Sequence, residues 1–355
     1  MTVFNTRQVH RFANAIAGSH PEIFSYLRCR RGIFMSKPIK SITSVNTLAK
    51  MAYTMRRAVC CLVLVNTTAL LVGCGAESME IKPKITGLYD DKSALVHDIQ
   101  DMTIDASSAM SRADRFLQQG NKDEALYYYV RALEFDDQNP ETFEKIGQIH
   151  AGKGNYEPAE VAYQMALKLD PKNAHALEGL GLIQLNTGKQ AEAKQSLTAA
   201  VAADPSLWRA CNGLGLIADK NGDYVQAAQH YKSALRTKPD LPILMNNLGY
   251  SKYLSGDLQG AMQLFDAASK LDGKYDSAWL NQGLVQARLG NDAAAIKAFM
   301  HVLNEADAYN NLGYIYMMND RTPAAYEYFQ KAISSSPTYH KLANENLNRL
   351  HAMDN

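Results

Sequence analysis

Glycine returns every 34 residues along this 355-residue chain, at Gly147, Gly181, Gly215, Gly249 and Gly283. A second series, Gly120, Gly154, Gly188, Gly222, Gly256 and Gly290, keeps the same interval. So do Ala125, Ala159, Ala193, Ala227, Ala261 and Ala295, with Pro171, Pro205 and Pro239 in step. A fixed period of this length restricts the fold to stacked copies of one supersecondary unit, each burying its faces against its neighbours.

One unit, residues 140–173, shows what is repeated. Phe143, Ile146, Ile149 and His150 fall at helical spacing and mark one apolar stripe. Gly154-Asn155 interrupts the helix, and Ala159, Tyr163, Ala166 and Leu169 mark a second. Asp170-Pro171 ends that one, because proline cannot continue a helix and restricts the residue before it. Each unit is therefore expected to be two antiparallel helices. Gly147 and Ala159 are expected where the two helices cross closely, with Tyr163 filling space on the neighbouring unit.

The sequence apolar-x-x-Leu-Gly, followed by Gly, Ala, an aromatic, Ala and Pro, resembles the tetratricopeptide repeat. The resemblance implies an all-α, right-handed superhelical solenoid of about seven helix hairpins. Units are placed at 106–139, 140–173, 174–207, 208–241, 242–275, 276–305 and 306–339, with a capping helix and tail at 340–355. Leu342, Leu347 and Leu350 are expected to cover the last unit. Three departures stand out. Ala113 replaces the first glycine in unit one, unit six is four residues short and carries Val302 at a small-residue position, and Asp320 replaces the second glycine in unit seven. The short unit is expected to tighten the turn between its hairpin and the next.

The front of the chain has a different character. Residues 1–73 hold ten Lys or Arg and one acid, Glu22, a net of +9, which leaves −8 for the remainder of a chain of net +1. An acidic remainder argues against nucleic acid as a partner. Residues 55–73 have a basic start, Arg56-Arg57, and an apolar stretch from Ala58 to Val72, the size of a signal-peptide core. The stretch ends in Leu71-Val72-Gly73-Cys74, which resembles a bacterial lipobox. That resemblance implies cleavage before Cys74, acylation of Cys74 and attachment to a membrane through the lipid. Gly75 stands where an aspartate would favour inner-membrane retention, so the outer membrane is expected, with the protein on its periplasmic face. Residues 1–54 are read as a start-site artefact, with Met35, Met51 and Met55 as alternative starts, or as an extended leader; an Arg-rich mitochondrial transit segment is the rival. Residues 74–105 read as a tether with a short helix over Lys92–Thr103.

In a fold of this kind the first helix of each hairpin lines the concave face. Its inward positions give Glu141, Glu144, Gln148, His175, Glu178 and Leu182 in units two and three, a mixed acidic wall. Units four to seven offer Asn212, Leu216, Asn246, Asn247, Tyr250, Tyr253, Asn281, Leu284, Asn310, Asn311, Tyr314 and Met317. Amides both donate and accept, and tyrosines combine contact area with a polar tip, so this stretch is expected to hold an extended segment of a partner protein. The alternative is that the asparagines cap or support neighbouring helices. Arg209 and Lys252 are the only candidates for a carboxylate-binding pair. Trp279 and Cys211, at equivalent positions, are expected to pack between helices.

No GxSxG, P-loop or HExxH motif occurs and no Cys or His cluster has zinc spacing, so neither an enzyme nor a cofactor or metal site is expected. The C-terminal half narrows the resemblance further. NNLGYSKYLSGDLQGAMQLFDAA, AWLNQGLVQARLGN, EADAYNNLGYIYMMND and AISSSPTYHKLANENLNRL resemble the tight-adherence (Flp) pilus assembly lipoproteins of the TadD type. The short unit before a Tyr-rich NNLGY unit and the SPTY…LANENL ending are the particular features. The resemblance implies a pilotin-like partner of the secretin or of another pilus assembly component. Lipid-anchored pilotins of type IVa pili, and periplasmic scaffolds for cell-wall synthesis enzymes, are the alternatives.

Overall fold

The computed structural model describes residues 104–353, and all regular structure among them is helical. Seven antiparallel hairpins follow one another. They are α1 Ala106–Gln118 with α2 Lys122–Phe135, α3 Pro140–Gly152 with α4 Tyr156–Leu169, and α5 Ala174–Asn186 with α6 Gln190–Ala203. Then come α7 Trp208–Lys220 with α8 Tyr224–Thr237, α9 Pro242–Ser255 with α10 Leu258–Leu271, α11 Asp276–Arg288 with α12 Asp292–Phe299, and α13 Glu305–Met318 with α14 Thr322–Ser335. A single helix, α15 Lys341–Met353, ends the array. The expected lipidation site Cys74, the leader before it and the helix expected over Lys92–Thr103 lie outside the described residues. No helix among the described residues is long and apolar enough to cross a membrane.

Local chemistry sets the helix ends. Asn139 caps α3 by accepting from the backbone N–H groups of Glu141 and Thr142, Asn173 caps α5 through Ala176, and Pro140 and Pro242 occupy first-turn positions. The hairpin turns use Gly120, Gly154, Gly188, Gly222, Gly256 and Gly290, all with φ between 79° and 92°, a region open to glycine and costly for other residues. Asp320 takes the same role in hairpin seven with φ 56°. The second helices stop differently from the sequence expectation. Asp136, Asp170, Asp204 and Asp272 each accept a hydrogen bond from the backbone N–H two residues on, at 2.8–3.1 Å. Asp272 is followed by Gly273 rather than proline, so the aspartate turn suffices to end the helix.

The repeating glycine of the first helix has a specific tenant. A Cβ built on Gly147 would meet the Tyr163 ring at 2.8 Å, one on Gly215 the Tyr231 ring at 2.5 Å, and one on Gly249 the Phe265 ring at 2.7 Å. The glycine therefore makes room for a side chain of its own hairpin more than for a backbone crossing. Tyr163 also lies against Gly179 of the next hairpin, so it serves both the hairpin it belongs to and the neighbour. Tyr129, Tyr231, Phe265, Phe299 and Phe329, at equivalent places, are all fully buried and form the spine of the core.

From α3 onward, successive first helices lie against one another, whereas successive second helices make no comparable set of contacts. The stack therefore curves toward its first helices, and these line the inner face. At the end of the array, Leu350 is buried and Leu347 packs against the core of hairpins six and seven, with Asn348 and Arg349 outward. His340 caps α15 by accepting from the Ala343 N–H through Nδ1, and its Nε2 meets Asp307 at 3.1 Å.

Candidate functional site

The inner face is built by the fifth and sixth residues of each repeat unit, counted from 106, 140, 174, 208, 242, 276 and 306, one turn before the glycine. The fifth residue is an acceptor toward the next hairpin. Met110 Sδ accepts from Asn139 Nδ2 at 3.5 Å and from Thr142 Oγ1 at 3.4 Å. Glu144 accepts from Asn173 Nδ2 at 3.4 Å, and the buried Glu178 accepts from the Ala210 backbone N–H at 2.9 Å. Asn212 Oδ1 accepts from Asn247 Nδ2 at 2.9 Å, Asn246 Oδ1 from Asn281 Nδ2 at 2.8 Å, and Asn310 Oδ1 from Asn346 Nδ2 of α15 at 3.0 Å. One hydrogen-bonded ladder thus runs along the array, joining each hairpin to the next. Hairpin six is the exception, because its fifth residue is Leu280. The sixth residue of hairpin seven, Asn311, would donate to that place; its Nδ2 is buried and has no partner.

This geometry assigns the asparagines expected to grip a peptide. Asn212, Asn246 and Asn310 are buried, and the amides of Asn212, Asn246, Asn247, Asn281 and Asn310 join hairpins. Asn247 and Asn281 are half-buried, and each has a carbonyl oxygen besides the amide group it donates. The sequence signal for the ladder was present in the pairing of Asn at the fifth and sixth positions of consecutive units. It fitted the supporting role and the binding role equally well.

The aromatic residues divide in a similar way. Tyr250 and Tyr253 are half-buried and stack with ring centroids 6.0 Å apart. The Arg288 guanidinium lies 4.9 Å over the Tyr253 ring and donates to the Tyr253 carbonyl at 3.2 Å. Burial raises both tyrosine hydroxyls above their ordinary pKa. Leu284, Tyr314 and Met317 are buried in one cluster shared by hairpins six and seven, against which Tyr250 and Tyr253 pack. The partly exposed apolar and aromatic residues of the first helices are therefore Leu182 and Leu185 in hairpin three, Leu216 in hairpin four, Tyr250 and Tyr253 in hairpin five and Met318 in hairpin seven.

Other residues singled out in the sequence are placed as follows. Glu141, Gln148 and His175 are exposed, and Glu178 is not part of a free acidic wall because burial and the Ala210 bond hold it inside. Arg209 stacks on Trp208 and Lys252 pairs with Asp257, so each has its own partner. Trp279 stacks on His301 at 3.7 Å and donates to the Gly273 carbonyl at 3.0 Å. Cys211 is a buried free thiol whose pKa burial raises. Among the described residues no group of His, Cys, Asp or Glu is placed to hold a metal ion.

Two carboxylates tie tyrosines in the array. Asp219, at the end of α7, accepts from the Tyr231 hydroxyl at 2.8 Å, and burial pushes its pKa up to about 6. Asp292, the first residue of α12, accepts from Tyr328 at 2.7 Å and from Tyr316, both in hairpin seven.

Comparisons with known proteins agree with this architecture. The tetratricopeptide repeat family profile matches residues 145–207, 188–242, 212–275 and 246–303, a second profile of the same description matches 306–339, and a TPR repeat profile matches 113–154. None of the curated proteins matches. Among solved structures, the APC/C hetero-tetramer Cut9–Hcn1 is similar at 18% identity and a TM-score of 0.50, covering 71% of this chain and 50% of that one. A tetratricopeptide repeat protein from Parabacteroides merdae is similar at 17% identity and a TM-score of 0.49, covering 69% of this chain and 98% of that one. PilF of Pseudomonas aeruginosa is similar at 20% identity and a TM-score of 0.49, covering 62% of this chain and 96% of that one. The 34-residue period, the stacked hairpins and the matching profiles coincide from residue 113 to residue 339, and the chain is a tetratricopeptide repeat protein.

Proposed function

We propose that this chain is a lipid-anchored scaffold of tight-adherence (Flp) pilus assembly, on the periplasmic face of the outer membrane, where it serves the secretin as a pilotin-like factor. The observation that carries this reading is the sequence of the C-terminal half. Its short sixth unit, its NNLGY seventh unit and its SPTY…LANENL ending depart from a plain repeat in the manner of that pilus lipoprotein family. Leu71-Val72-Gly73-Cys74 supplies the anchor, and Gly75 the preference for the outer membrane.

The partner is an extended segment of the secretin or of another pilus assembly protein, lying along the first helices of hairpins four to seven. Leu216, Tyr250 and Tyr253 offer apolar and aromatic area there, and the Asn247 and Asn281 carbonyls lie beside it. Burial of such area is the main favourable term in association, and tyrosine is enriched where it happens.

The test is a blot for the pilus secretin in outer-membrane fractions of cells with the protein, cells lacking it and cells carrying Cys74→Ser. The expected result is loss or mislocalisation of the secretin multimer in both altered strains. A normal multimer in the strain lacking the protein overturns the pilotin reading.

A further inference from the structure

Hairpin seven is joined to the rest of the array differently from every other hairpin, in three independent respects. The helix it packs on is short: α12 has 8 residues where the other second helices have 14, so less surface supports the junction. The ladder is broken there and only there, since Leu280 cannot accept and Asn311 Nδ2 is left buried without a partner. An unsatisfied buried donor opposes the closed junction, because opening returns it to water. In place of the ladder bond, the Asp292 carboxylate reaches across to the hydroxyls of Tyr316 and Tyr328.

The other side of hairpin seven is firmly held. Asn310 bonds Asn346, and Asp307 meets His340, so α13, α14 and α15 form one body, residues 305–353. What lies at the junction is apolar: Leu284, Tyr314 and Met317 are 3%, 8% and 5% exposed. These are inner-face positions, covered in the closed array.

We infer that residues 305–353 form a latch that swings as one body at the junction with hairpin six, held shut by Asp292 and biased to open by the unpaired Asn311, and that opening uncovers Leu284, Tyr314 and Met317 for the bound segment. The binding part of this statement rests on the inner-face reading above; the latch itself does not. The occupant is accordingly a segment with apolar side chains, since the newly uncovered residues offer no charge.

Hydrogen exchange followed by mass spectrometry on the full-length chain, with no partner present, tests the latch. In the wild type, amides of 305–353 are expected to exchange through a common opening at least tenfold faster than the core amides of hairpins four and five. Leu280→Asn restores the acceptor that Asn212, Asn246 and Asn310 supply elsewhere, and Asn311→Leu removes the unpaired donor instead. Each is expected to slow exchange of 305–353 by about tenfold, the equivalent of a buried donor satisfied or removed. Asp292→Ala is expected to accelerate it by a similar factor while leaving hairpins one to four unchanged. The inference is overturned if 305–353 exchanges together with hairpins four and five in the wild type, or if neither Leu280→Asn nor Asn311→Leu slows it. Because the sample contains no partner, this outcome is separate from that of the secretin blot: a latch can be present in a protein that leaves the secretin untouched.

Discussion

The Tyr231 hydroxyl donates to Asp219 Oδ2 over 2.8 Å, joining the two helices of hairpin four through a carboxylate that is mostly out of water. Desolvation outweighs the help of the hydrogen bond from Tyr231, which acts in the opposite direction.

That balance fixes a pH dependence. The folded-state pKa of Asp219 is raised from 3.8 to about 6, so the folded protein binds the proton more tightly than the unfolded chain. Its effect is to lower stability as pH rises from about 4 through about 6, by up to roughly 3 kcal/mol once the group is ionised. Asp219→Asn keeps a carbonyl for Tyr231 and removes the charge. Urea unfolding of both proteins should show the variant more stable at pH 7.5 and the difference vanishing or reversing near pH 4. A variant less stable at pH 7.5 contradicts burial as the dominant cause.

The glycine cradle predicts opposite effects of the same substitution at two sites. Gly249→Ala drives a Cβ to 2.7 Å from the Phe265 ring and should destabilise by about 1–3 kcal/mol. Gly152→Ala meets only the end of Lys122 at 3.5 Å and should stabilise by up to about 1 kcal/mol through helix propensity. Thermal melts of the two variants beside the wild type check the sign of each.

Asp320 occupies a left-handed turn position that glycine fills in the six preceding hairpins. Asp320→Gly should relieve about 0.5–1 kcal/mol of backbone strain, less the entropy glycine adds to the unfolded chain. A raised melting temperature for hairpin seven, read by exchange of its amides, is the expected result; a lower one means that the Asp320 side chain stabilises the turn by other means.

The Asn212–Asn247 and Asn246–Asn281 bonds should show coupling. Asn246→Ala alone leaves the half-buried Asn281 donor unpaired and should cost about 1 kcal/mol, while the second substitution, Asn281→Ala, should cost less in its presence than in the wild type. A double-mutant cycle in urea measures the difference. Additive costs would show that the bond contributes nothing beyond the two side chains taken separately.

The inner-face reading predicts that Tyr250→Ala with Tyr253→Ala reduces the secretin multimer in the outer membrane severalfold. The purified variant should keep a helical circular-dichroism spectrum, because both residues are only half-buried. Glu141→Lys, on the exposed surface of hairpin two, should leave the multimer unchanged.

Periodicity made the hairpins legible, since 34-residue recurrence of Gly, Ala and an aromatic residue has few other solutions. The four residues missing from unit six were legible but their effect was not: the turn expected to tighten, residues 300–304, is no shorter than the turns after the earlier second helices, and α12 is shortened instead. The turn role of Asp320 followed from its alignment with six glycines. The function of the repeating glycine was less legible: sequence shows a small residue, and only coordinates show that the Phe265 or Tyr231 ring takes the space. The ends of the second helices misled for a related reason. Proline beside Asp170 drew attention to itself, while the aspartate side chain makes the turn. At the candidate site the same residue types suit two tasks. An asparagine on an inner face can hold a ligand or hold a neighbour, and nothing within one unit distinguishes them. The choice lies in contacts between residues 35 apart, such as Asn212 with Asn247.

The ladder also carries a rule for how such an array can grow. A second copy of hairpin five, inserted after the first, would present its own Asn247 to the preceding Asn246 and continue the ladder. A second copy of hairpin six would place Asn281 opposite Leu280 and begin with the defect that now sits before hairpin seven. Gene duplication can therefore lengthen the protein from within its middle, while the segment from Leu280 onward behaves as an end piece that tolerates only one copy.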